Sequence, residues 1–169
     1  NKTQLLKENW KLSFKESAPV CDQSFQLDTL QTWEKLNETT KTLMGTGVYE
    51  CSIKLTEQEL KQGNDWAIDL GDGRESARVY VNNTFVGCAW AVPYILQFSD
   101  VFKPGANTIR IEVTNLPANR ISQLDREGYK WRKMEEINVV NIHYKKQSYA
   151  DWEPVPSGLN SHVTLYKVR

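Results

Sequence analysis

The sequence predicts an all-β protein, a sandwich of two antiparallel sheets. Three observations carry that prediction: apolar residues recur at every second position, turn-forming residues separate the runs, and helix signals are sparse. The alternation is plainest in Tyr49-Cys51-Ile53-Leu55, where Glu50, Ser52 and Lys54 lie between the apolar positions. Neighbouring side chains of a strand point to opposite faces, so such a run buries one face and wets the other.

In chain order, the strand ending at Leu55 meets Thr56, a helix N-cap residue, and Gly63 stops the short helical connector that follows. Trp66-Ile68-Leu70 alternates again and ends at Gly71-Asp72-Gly73. Ala77–Val81 and Thr84–Ala89 are separated by Asn82-Asn83 alone, and Asn tolerates the positive φ of a two-residue hairpin loop. Lys103-Pro104-Gly105 divides Val101-Phe102 from the strand Ile109-Ile111-Val113. Pro117 and the charges Arg120, Asp125, Arg126 and Glu127 interrupt the alternation, so Leu116 to Tyr129 is expected to be a long loop. Ile137–Tyr144 is strand-like, and Val163–Val168 forms the closing strand. Without an internal repeat or a flexible linker, residues 1–169 are expected to form one domain.

Composition narrows the function. Twenty-one basic residues balance 21 acidic ones, which leaves no excess positive charge for nucleic acid or an anionic membrane surface. No apolar run approaches the roughly 20 residues that span a bilayer. The polar start, Asn1 to Asn9, is unlike a signal peptide, so any export signal is expected to be removed or to lie upstream. Three cysteines permit one bridge at most: buried thiols at Cys51 and Cys88 are the favoured reading, and a Cys51–Cys88 disulfide is its rival, with Cys21 left over.

Catalytic signals are weak. His143 and His162 are the only imidazoles, and neither sits near a recognisable nucleophile. Cys and His lack metal-ligand spacing. Asp69, Asp72 and Glu75 read as a solvated turn rather than a calcium loop, so no cofactor is expected, and a structural calcium has no supporting motif. The carboxylate pairs Asp125/Glu127, Glu135/Glu136 and Asp151/Glu153 do not stand out from ordinary surface pairs.

Aromatic residues are the richest signal, with six Trp, seven Tyr and five Phe. Sugar rings stack their C–H faces on aromatic planes while Arg, Asn and Asp meet their hydroxyls. Trp10, Trp33 and Trp66 are assigned to the core. The candidate sugar contacts are Trp90 with Tyr94, Trp131 with Arg132, and Trp152, all in expected loops or at strand ends.

The run Gly45-Thr46-Gly47-Val48-Tyr49-Glu50 is followed in order by Asp69-Leu70-Gly71, Ala77–Asn82, Val86–Trp90 and Pro93-Tyr94. Further on come Phe102–Ile109, Val113-Thr114-Asn115, Asn119-Arg120 and Pro156-Ser157-Gly158-Leu159. This series resembles the galactose-binding-like sugar-binding domain of glycoside hydrolase family 2 and, more closely, the C-terminal module of bacterial α-L-rhamnosidases of glycoside hydrolase family 106. The resemblance implies a galactose-binding-like jelly roll in an exported, periplasmic or extracellular protein. It also implies a place beside the catalytic domain of a larger glycoside hydrolase, with plant-cell-wall carbohydrate as a possible ligand. Arg120 joins the candidate contacts through the matched Asn119-Arg120 pair, for which a structural anchor is the favoured role. Two alternatives stand beside the accessory role: an autonomous carbohydrate-binding module, and an interdomain sandwich without a ligand.

Overall fold

The computed structural model of the chain describes residues 3–6, 9–132, 143, 145 and 147–168. The strands are β1 (Thr3–Leu6), β2 (Trp10–Ala18), β3 (Phe25–Leu27), β4 (Met44–Leu55), β5 (Asp65–Asp69), β6 (Gly73–Arg74), β7 (Ser76–Val81), β8 (Thr84–Ala89), β9 (Ile95–Ser99), β10 (Gly105–Thr114), β11 (Gly158–Leu159) and β12 (Val163–Lys167). Three short helices, α1 (Glu38–Lys41), α2 (Glu57–Lys61) and α3 (Ala118–Arg126), and a 3-10 turn at Trp33–Lys35 connect them. A six-stranded sheet runs β3-β2-β4-β10-β7-β8, a four-stranded sheet runs β1-β12-β5-β9, and β11 pairs with β6. Every described pairing is antiparallel, as the period-two reading requires.

Both sheets bury their alternating residues in one apolar core. On β4 the inward residues are Tyr49, Cys51, Ile53 and Leu55, and Ile109, Ile111 and Val113 meet them from β10. Trp10, Trp33 and Trp66 are buried, as expected. The hairpin also forms as read, with Asn82 and Asn83 at φ 49° and 66°. Thr56 caps α2 through a reciprocal bond with Glu59.

Two readings need correction. Leu116 to Tyr129 is not a long loop, because residues Ala118 to Arg126 form α3. Pro117 does not interrupt it but starts it, since a proline ring is tolerated where the first N–H groups have no partner. Gly128, at φ 67°, closes it by donating to the Asp125 carbonyl. The thiols are free, and Cys51 is buried but Cys88 is exposed. Cys51 faces the core from a central strand, whereas Cys88 lies opposite the exposed Arg78 on the edge strand β8, so the two cannot pair. The strand-like run Ile137–Tyr144 lies outside the described residues apart from His143, which is an exposed turn residue.

A buried hydroxyl ties the sandwich to its loops. Trp33 Nε1 donates to Tyr49 Oη at 2.7 Å, and the Leu159 N–H donates to the same oxygen at 3.1 Å. Room for this arrangement comes from missing side chains: a Cβ on Gly158 would lie 2.2 Å from Trp33 Nε1 and 2.3 Å from Tyr49 Oη, and one on Gly47 would lie 2.5 Å from the Trp33 ring. Gly158 also sits at φ 89°, where other residues are strained.

Buried asparagines complete the fastening, because an amide offers an acceptor and two donors from one short side chain. Asn115 accepts from the Gly45 N–H at 3.0 Å and donates to the Leu43 carbonyl at 2.8 Å and to Ser157 Oγ at 3.0 Å. Asn107 accepts from the Lys103 N–H at 3.0 Å and donates to the Lys103 carbonyl at 2.7 Å, holding the Lys103–Gly105 turn.

Replacing Tyr49 with Phe leaves the Trp33 and Leu159 donors without their acceptor and is expected to cost about 1–3 kcal/mol in urea unfolding. Burial pushes the Tyr49 phenol from 10.0 to about 12 and the Cys51 thiol from 9.0 to about 12. Each group favours the fold while protonated, so its contribution is complete below its unfolded value and disappears as pH rises toward the folded one. Stability is expected to fall between pH 9 and 12, approaching about 1.4 kcal/mol per pH unit per group, and Y49F and C51A should each flatten that slope.

Candidate functional site

Register places most connecting segments at one end of the six-stranded sheet. Thr46 at the start of β4 pairs with Thr114 at the end of β10, Thr114 pairs with Ser76 at the start of β7, and Ala77 pairs with Ala89 at the end of β8. The chain therefore delivers Trp90, α3 and the segment after it to that same end.

There α3 and the strap 147–157 build a ledge. Asn119 holds the strap reciprocally, accepting from the Val155 N–H at 2.8 Å and donating to its carbonyl at 2.9 Å. Ser157 is gripped by Glu34, which accepts from its N–H at 3.0 Å, and by the Trp33 N–H, which donates to its carbonyl at 3.1 Å. Six residues further along the helix, Asp125 accepts from Trp131 Nε1 at 2.5 Å and from the Tyr149 N–H at 2.7 Å. The side chain thus fixes one edge and the centre of an aromatic group. Tyr149 lies 6.1 Å from the Trp131 ring and 4.5 Å from the Trp152 ring. The Arg132 guanidinium sits 5.1 Å from both the Trp131 and Tyr149 rings and donates to the Gln147 carbonyl at 3.0 Å.

Two open clefts flank this group. One, of about 470 Å³, is lined by Asp125, Tyr129, Lys130, Trp131, Arg132, Gln147 and Ser148. The other, of about 630 Å³, lies among Lys41, Thr42, Arg126, Asp151, Trp152 and Pro154. Exposed ring faces and a held guanidinium can stack on a sugar and donate to its oxygens.

The candidate residues do not form one platform. Trp131, Arg132 and Trp152 come together, with Tyr149 as the link that residue-by-residue reading missed. The spacing Tyr149-x-x-Trp152 is the signal that was available. Trp90 stands apart and is 78% exposed beside Val92, with no ring contact among the described residues. Tyr94 is only 8% exposed, and its carbonyl accepts from the Leu70 N–H at 2.9 Å. Arg120 is half-buried on α3 and makes no ion pair or hydrogen bond among the described residues, while its neighbour Asn119 serves as the anchor.

The acids are occupied or exposed. Asp125 orients the aromatic group and Glu127 accepts from Gln123. Asp151 and Glu153 are exposed, and Glu135/Glu136 lie outside the described residues. In the turn after β5, Asp69 accepts from the Gly71 N–H and Asp72 pairs with Arg74, whose hydrogen bond holds the Asp72 carboxyl below its ordinary value. Among the described residues no three His, Cys, Asp or Glu side chains gather as a metal site. Asp125→Ala is expected to free the Trp131 indole and the Tyr149 amide together. The measurable result is a red-shifted tryptophan emission and faster proteolysis beyond Arg126, with sheet circular dichroism retained.

No protein-family model matches the chain. It is 30% identical over 159 residues to a Formosa agariphila protein named "Putative beta-glucuronidase", a match spanning 88% of this chain and 14% of that protein. Its structure is similar to that of a rhamnosidase from Novosphingobium sp. PP1Y, with TM-score 0.73 and 25% identity over 98% of this chain and 15% of the rhamnosidase. The fold is shared with a β-glucuronidase from Bifidobacterium dentium at TM-score 0.65 and 15% identity, over 97% of this chain and 29% of that one. The chain is therefore similar, along nearly its whole length, to segments of glycoside hydrolases of which it spans only a minor part.

Proposed function

We propose that this chain is a non-catalytic accessory module of a larger, secreted glycoside hydrolase. In this reading residues 1–169 form one galactose-binding-like jelly-roll domain, whose partner is the catalytic domain of the same enzyme. The observation that carries the reading is the match of almost the whole chain to a minor part of glycosidases. The chemistry agrees, because Asp125 is held by the Trp131 and Tyr149 donors and no second acid lines its cleft among the described residues. A direction toward rhamnose-containing or pectic polysaccharide draws support from the sequence resemblance and from the similar rhamnosidase.

The isolated chain is expected to show no turnover of aryl glucuronides, aryl rhamnosides or pectic oligosaccharides. Hydrolysis that disappears in Asp125→Ala or Glu135→Ala would overturn the accessory role.

The ledge supports a second reading, in which the module itself holds carbohydrate. Trp131, Tyr149 and Trp152 offer adjoining rings, and the strap that carries two of them is anchored at Asn119 and Ser157. Calorimetric titration with galacturonan, rhamnogalacturonan and galactan fragments tests it. Trp131→Ala and Tyr149→Ala are expected to weaken binding at least tenfold, whereas Trp90→Ala should leave it unchanged because Trp90 makes no ring contact with the group among the described residues.

A further inference from the structure

Resting on the carbohydrate-holding reading, we infer that the two clefts are adjoining subsites of one site for an acidic oligosaccharide, with a sugar carboxylate at Arg132 and an uncharged neighbouring sugar beside Trp152. Adjacency comes from shared walls. Helix α3 contributes Asp125 to the first cleft and Arg126 to the second, and the strap contributes Ser148 to one and Trp152 to the other. Tyr149 stands between them, its ring in contact with Trp131 on one side and Trp152 on the other. Each cleft has the size of a small-ligand site, a class that runs from roughly 300 to 1,000 Å³.

Charge assigns the occupants. Among the described residues lining the first cleft, the one acidic side chain, Asp125, is already engaged by the Trp131 indole and the Tyr149 amide, while Arg132 presents a guanidinium. Arg132 is held in advance by two rings and the Gln147 carbonyl, and that carbonyl engages only one of its N–H groups. Its planar fork matches the two oxygens of a carboxylate, and little rotamer freedom is left to lose on binding. In the second cleft acids outnumber bases among the described residues: Lys41 is paired with Glu38 and Arg126 is tied to Ser122 and the Ala150 carbonyl, beside exposed Asp151 and Glu153. A second carboxylate would be repelled there, whereas a neutral ring can stack on Trp152, which is 46% exposed.

The test is calorimetry on the 169-residue chain with four probes: a rhamnogalacturonan tetrasaccharide, the same tetrasaccharide with its carboxyl groups reduced to alcohols, galacturonate alone, and a sulfated galactan tetrasaccharide. The native tetrasaccharide is expected to bind at least tenfold tighter than its reduced form. Arg132→Gln should abolish that difference and Arg132→Lys should restore part of it, with thermal melts confirming that both variants fold. Trp152→Ala should weaken the tetrasaccharide and leave galacturonate unaffected. Equal affinity for the native and reduced chains overturns this inference and leaves the carbohydrate-holding reading standing, whereas no binding of any probe overturns both. Sulfated galactan binding as tightly as the carboxylated chain overturns the carboxylate assignment, and galacturonate binding as tightly as the tetrasaccharide overturns the paired subsites.

Discussion

The buried Tyr49 hydroxyl is the point on which the loop end of this sandwich depends. A phenol oxygen without partners would be costly in a core, and here it accepts from an indole and from a backbone amide on two otherwise separate segments. Those bonds draw the Trp33 turn and β11 onto the central strand β4. The strap is then fixed at Ser157 and Val155, which sets where Tyr149 and Trp152 can stand. A surface assembled from loops is thereby referred back to the core.

The residues that make the sequence resemble a known family are largely those of this fastening. Gly47 makes room for the Trp33 ring, Tyr49 supplies the hydroxyl, and Gly158 lets the chain pass beside both. Asn107, Asn115 and Asn119 each close backbone groups that no sheet ladder reaches. Such a motif series describes a scaffold rather than a ligand site. That explains why the matched Asn119-Arg120 pair contains an anchor while Arg120 stands without a partner among the described residues.

The fold was largely legible because alternation is a local signal. Tyr49-Cys51-Ile53-Leu55 needs only the strand geometry to declare its buried face, and Asn82-Asn83 needs only a tolerance of positive φ. Helix α3 escaped notice because its buried face is polar. Asn119 and Ser122 are its buried residues, so apolar periodicity is faint and the stop signals at Pro117 and Gly128 read as loop. The site was legible in residue type and not in arrangement. Trp131, Arg132 and Trp152 stood out as aromatic and cationic residues of expected loops, and Trp90 and Tyr94 as aromatics beside a turn, yet the former three meet and the latter two do not.

By itself, the sequence determined the all-β architecture, the tight hairpin, the capped connector α2 and the three core tryptophans. Each follows from interactions between residues close in sequence, or from the simple preference of apolar surface for the interior. Only the tertiary structure decided that Cys51 and Cys88 lie apart, that α3 carries the strap, and that Tyr149 joins Trp131 to Trp152. Those outcomes rest on contacts such as Asp125 with Tyr149 and Tyr49 with Leu159, spanning 24 and 110 residues of chain, and no local pattern encodes which distant partner a polar group will meet.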